Sequence, residues 1–255
     1  RTLALARLAL INGSLPGDVS LEVPEGAYLD AGFLYNLASF HYAKRQYGQA
    51  ASILANRINV KAPAFDGEAM IGLMLRVAKK ASATNAMRIA SKVDDLFEPG
   101  QDISKGSFFL RDRYTDLMWL GGTKALWTLV NGNQAAPIFE RYGKAARTPL
   151  TKSKGFYWAG RAAKRAGQIE ASNAHFTAAT QWPDYYYAHL SLAELGQPMP
   201  TFAELPTIQA TTEQRAEFEA RPLTRALLSI GQHRRKWQPA RRFFQALGAS
   251  ASSAS

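Results

Sequence analysis

A chain of 255 residues with 47% hydrophobic and 11% aromatic content has enough apolar mass for a packed core, so it is not a disordered protein. It contains no cysteine, which excludes disulfides, thiolate metal sites and cysteine nucleophiles. A net charge of +11 attracts nucleic acid, anionic lipid or carboxylate-bearing polymers over long range, with solubility alone as the plain alternative.

In chain order, residues 1–12 read as an amphipathic helix stopped by Asn12-Gly13 and Pro16-Gly17. Arg7 in its middle, with no small-residue cleavage site after it, argues against a signal peptide. A mature chain or an excised fragment is therefore expected. No run of about 18 apolar residues occurs, so no transmembrane segment is expected. Residues 18–26 are expected as an extended loop. Leu29, Phe33, Leu37 and Phe40 recur at helical steps and predict a long helix over 27–45, partnered by 47–58. A second pair is predicted over 68–80 and 84–97, closed by Pro99-Gly100.

After a polar break, residues 107–130 read as a long aromatic helix bent at Gly121-Gly122. Its partner is predicted over 134–146, with Pro137 in the first turn, where proline is tolerated. The next pair is predicted from about Lys154 to Ala166 and from Ile169 to Gln181, with Gly167 as the stop between them. A further helix is expected from Asp184, as N-cap, to Gly196. Residues 202–212 look like a linker, followed by helices over 213–218, 222–230 and 238–247. The small polar run from 248 to 255 is expected to fray.

These periods predict an all-α fold of about ten to fourteen helices. The arrangement expected is an α-solenoid or superhelix of antiparallel helix pairs, irregular and tetratricopeptide-like. Second helices recur at Ala50, Ala86, Ala135 and Ser172, at intervals of 36, 49 and 37 residues by subtraction, too uneven for a regular array. The domain expectation is a superhelical part over 1–200, a linker and terminal helices over 201–247, and a tail over 248–255. Within the fourth pair, Trp158 and Phe176 are expected to be mostly buried and to face one another's helices.

No catalytic constellation stands out. His41, His175, His189 and His233 lack the spacing of a zinc helix, and no metal or cofactor is expected. Gly121-Gly122-Thr123-Lys124 lacks the upstream glycine of a phosphate loop. Asp94-Asp95 and Asp112/Asp116 supply carboxylates suited to acid–base work, but Arg111 and Arg113 make a solvated charge network the better reading of the second pair. Trp158, Tyr157 and Tyr185-Tyr186-Tyr187 have faces suited to sugar stacking, and packing between helices is the favoured reading. Arg234, Arg235, Lys236, Arg241 and Arg242 form the densest basic group and are the candidate glycan or polyanion contacts.

The string Gly155-Phe-Tyr-Trp-Ala-Gly-Arg-Ala-Ala163, then an Ala-rich helix, Pro183-Asp184, a tyrosine cluster and Leu195-Gly196, resembles the helical domain of soluble lytic transglycosylases. The resemblance extends through Leu117-Met-Trp-Leu-Gly-Gly-Thr-Lys-Ala-Leu-Trp127 and Arg141-Tyr-Gly-Lys-Ala-Ala-Arg-Thr-Pro149. It is clear from Arg111 to Gly196 and weak before Phe108. It implies a periplasmic superhelix that accompanies a lysozyme-like catalytic domain and has peptidoglycan as its partner. The parent reaction it implies is nonhydrolytic cleavage of the MurNAc–GlcNAc bond, giving 1,6-anhydroMurNAc. The catalytic domain of that family carries a Glu-Ser motif and a Gly-Leu-Met-Gln motif. This chain has no Glu-Ser pair, and Gly72-Leu73-Met74 is followed by Leu75, so the chain is expected to be inactive alone. The competing expectation is a free-standing tetratricopeptide-like adaptor for a protein partner. Nucleic-acid binding rests on charge alone and is not expected. Glycan binding is expected to be weak, salt-sensitive and nonspecific.

Overall fold

The computed structural model describes residues 1–201, 210–232 and 237–250. Thirteen α-helices and no strand occur among the described residues. None of these helices is long and apolar enough to cross a membrane. Arg1–Pro200 forms one compact unit and Thr201–Ser255 a second.

The first unit contains α1 (Thr2–Ile11), α2 (Ala31–Ala43), α3 (Tyr47–Asn56), α4 (Gly67–Ala78) and α5 (Ala83–Ser91). It continues through α6 (Phe108–Thr123), α7 (Gly132–Ala145), α8 (Pro149–Arg165), α9 (Ile169–Ala179) and α10 (Tyr186–Glu194). Each helix packs on its neighbour in sequence, and next-but-one contacts join α2 to α4, α3 to α5, α4 to α6, α5 to α7 and α8 to α10.

Side-chain caps set most of the starts. Asp30, Asp66, Ser82, Ser107, Asn131 and Thr148 each accept a hydrogen bond from the backbone N–H three residues on. Each such cap satisfies one of the orphan donors of a helix start. The caps also explain where the sequence reading slips. Asp30 separates a 3₁₀ turn over Ala27–Leu29 from α2, so 27–45 is not one helix. Asn131 starts α7 at Gly132, which leaves Pro137 inside the helix and not in its first turn. Thr148 with Pro149 at the first helical position starts α8 well before Lys154, because proline's fixed φ suits that position. Tyr185, not Asp184, precedes α10. Gly167 and Gly196 end their helices at φ +76° and +66°.

The main core runs from α2 through α8, with Leu54, Ile71, Met74, Ile89, Leu117 and Phe139 among its buried members. Gly72, Leu73 and Met74 lie buried inside α4. A smaller cluster around Phe33, Leu37 and Phe40 joins α1 to α2, and another joins Tyr157 to Phe176 and Ala179. Several helices meet at glycines. A Cβ on Gly121 would lie 2.3 Å from that of Ala90, and one on Gly155 would lie 2.5 Å from the Gly143 backbone. Buried Arg57 pairs with Asp95, and its backbone carbonyl accepts from Lys92, which pins the loop after α3 to the end of α5.

The second unit contains α11 (Thr212–Ala220), α12 (Pro222–Gln232) and α13 (Trp237–Ser250), which pack in sequence. Thr211 and Gln214 form a reciprocal capping box. α13 reaches Ser250, beyond the expected end at Leu247. The linker at 202–209 and the tail at 251–255 lie outside the described residues.

Candidate functional site

α6 continues without interruption past Gly121-Gly122 to Thr123. The helix runs through both glycines, which admit Ala90 and the Phe139 ring, and then widens into a π-helical turn over Lys124–Thr128. Leu129 N–H reaches back five residues to the Lys124 carbonyl. Val130 follows at φ +56°, a strained conformation for a β-branched residue.

The π turn has a geometric consequence. In a regular helix, residues eight apart lie about 80° apart around the axis. One residue absorbed by a π turn makes them behave as seven apart, or about 20°. Trp119 and Trp127 are thereby drawn onto one face, with ring centroids 6.2 Å apart. α8 supplies the opposite wall. Lys154 and Trp158 are four apart and share a helix face. The Trp127 and Trp158 rings meet edge to face at 4.9 Å. The Lys154 ammonium sits 3.4 Å from the Trp119 ring centroid and 5.6 Å from that of Tyr142. Tyr157 extends the cluster to Tyr187 at 5.6 Å and to Phe176 at 5.9 Å.

Three features mark the cluster. Trp127 is 50% exposed. The Trp158 indole N–H is buried with no acceptor among the described residues. Lys154 forms no ion pair with any carboxylate among the described residues, and burial lowers its pKa. The Tyr142 phenol is pushed up to about 12, first by burial and then by Tyr187 and Asp116.

The expectation that Trp158 faces Phe176 is corrected. Tyr157 takes that place, and Trp158 is half-buried against Trp127 and Phe139. Phe176 is buried as expected, with its ring over Gly160. Successive residues on α8 point about 100° apart, so Tyr157 and Trp158 address different neighbours.

The sequence-derived carboxylates separate into different roles. Asp94 accepts from the Tyr114 phenol at 2.6 Å and from Arg141 at 3.0 Å, beside a cleft of ≈ 450 Å³. Burial, then Asp94, pushes the Tyr114 phenol far above its ordinary range, so it is a fixed donor and not a base. Asp95 is spent on Arg57. Asp112 and Asp116 do not form the expected network: Arg111 donates to the Gly106 carbonyl, and Arg113 donates to the Glu68 carbonyl. Asp116 is raised, first by burial and then by Asp112, while Lys79 opposes the shift.

Of the basic candidates, Arg241 and Arg242 are exposed on α13, whereas Arg234, Arg235 and Lys236 lie outside the described residues. Trp119, Trp127, Tyr142 and Lys154 were not legible as a group. Only the four-residue step from Lys154 to Trp158 hinted at a shared face. Comparison with family models, curated proteins and solved structures finds no match for this chain.

Proposed function

We propose that this chain is a noncatalytic helical domain of a periplasmic peptidoglycan lytic transglycosylase. In that role its paired helices continue as a superhelix that shapes the approach of glycan strands and seats a lysozyme-like catalytic domain. One observation carries the reading. The glycines within 117–127, 141–149 and 155–163 occupy helix contacts: Gly121 and Gly122 against Ala90 and Phe139, Gly143 against Gly155, and Gly160 against Phe176. These glycines of the resembling strings set how closely the helices approach. The aromatic surface beside them suits a saccharide better than an enzyme site, because its polar groups are few and set among indoles.

Sedimentation with purified sacculi tests the proposal. The chain is expected to co-sediment with sacculi and to release no 1,6-anhydro-muropeptides. Failure to co-sediment, or robust release of those products by the chain alone, overturns it.

A second reading, a protein-binding adaptor, draws on α1. Its Leu5, Leu8 and Ile11 are exposed at steps of three and form an apolar stripe on the outer side of the helix. Co-purification of a stoichiometric protein partner lost on Leu8→Lys, with no retention on sacculi, is the result that favours it.

A further inference from the structure

The indole cluster is built at a cost. The π turn Lys124–Thr128 and the left-handed Val130 are both unfavourable geometries, and both flank Trp127. What they achieve is the alignment of Trp127 with Trp119, next to Trp158. A packing role does not require that alignment, because Trp127 remains half exposed. Lys154 is held against the face of Trp119 with no carboxylate counter-ion among the described residues. A partly desolvated ammonium without an anion is poised to accept one.

We propose that Trp127, Trp158, Trp119 and Lys154 form a subsite for a carboxylate-bearing saccharide, with the sugar ring on the Trp127 indole and the carboxylate on the Lys154 ammonium. The choice of a glycan rests on the reading given under Proposed function. The selectivity for an acidic sugar rests on Lys154. The chemistry argues against an extended peptide. The surface is helix throughout, so it presents no strand edge for main-chain pairing. It also argues against a docked amphipathic helix, which seeks an aliphatic groove and not flat indoles around a cation. An indole offers a broad flat face to the C–H groups of a pyranose, and half of Trp127 is open to solvent.

Tryptophan fluorescence and calorimetric titration test the subsite. The probes are a soluble tetrasaccharide alternating N-acetylglucosamine with N-acetylmuramic acid, and the neutral N-acetylglucosamine tetramer. A short peptide carrying the same number of carboxylates is the third probe. The acidic tetrasaccharide is expected to bind about tenfold more tightly than the neutral one, the scale of one charge-assisted contact. Lys154→Gln should abolish that preference and leave the neutral sugar unchanged, while Lys154→Arg should retain it. Trp127→Ala should weaken both sugars by about tenfold. Circular dichroism and a thermal melt on each variant establish that it folds.

Equal binding of the two sugars by the wild type overturns the subsite. So does a preference that survives Lys154→Gln, a preference lost on Arg241→Glu/Arg242→Glu, or equal binding of the peptide. If sacculi still retain the chain in any of these cases, the subsite alone fails and the scaffold reading stands. If retention is also absent, the glycan reading fails with it.

Discussion

Phe176 and His175 are adjacent on α9 and meet different surroundings. Phe176 is 1% exposed, with its ring against Gly160 and Tyr157. Phe176→Ala removes a fully enclosed ring from a wall that cannot collapse around glycine, and is expected to cost about 3–5 kcal/mol in chemical denaturation. His175 is half-buried, and burial lowers its pKa below the ordinary 6.5, with Glu140 opposing that shift and Lys144 adding to it. The folded state therefore binds this proton less readily than the unfolded chain. Stability attributable to His175 is intact above 6.5, falls as pH drops towards the lowered value, and is fully lost below it. His175→Asn should flatten that part of a stability–pH curve measured by denaturant melts; an unchanged slope would show that the imidazole is not responsible. Ser172, one turn earlier, shows how a buried hydroxyl is tolerated: it donates to the Gly160 carbonyl at 2.9 Å.

Among the helices, glycine separates two kinds of position. At the α7–α8 crossing, Gly143 and Gly155 let the backbones touch, and a Cβ on Gly155 would meet backbone atoms that cannot swing aside. Gly155→Ala is expected to destabilise by about 1–3 kcal/mol through overpacking. Gly48 in α3 has open space around it, so Gly48→Ala should stabilise by about 0.5–1 kcal/mol through backbone entropy alone. Urea melts of the two variants should move in opposite directions, and parallel shifts would refute the assignment of close contact. The same contrast applies to the Gly121-Gly122 pair inside α6. Both glycines are filled from outside by Ala90 and Phe139, and the irregularity appears one turn later, in the π turn.

For the molecule as a whole, the net charge of +11 and the indole surface make separable contributions to polyanion binding. Exposed lysines and arginines act over about 8–10 Å at physiological salt and lose reach as salt rises. Retention on sacculi should therefore fall steeply towards about 0.5 M salt. A fraction that persists there should vanish on Trp127→Ala. Uniform loss with salt, regardless of Trp127, would return the interaction to charge alone. Nonspecific binding is expected where no aromatic-plus-acid cluster converges; Trp119, Trp127 and Trp158 converge around a lysine instead of an acid.

Local conformational rules, read from sequence, identify the helical character of the chain, the stops at Gly167 and Gly196, and the core position of Gly72-Leu73-Met74. Each of these depends on a few neighbouring residues: a spacing, a left-handed backbone, a missing N–H. The alignment of Trp119 with Trp127, the exchange of Tyr157 for Trp158 against Phe176, and the pairing of Asp95 with Arg57 across 38 residues depend on how helices are rotated against each other. One residue of register turns a side chain about 100° around its helix. A single π turn therefore moves an indole from one neighbour to another, and the pattern of apolar spacing contains no record of it.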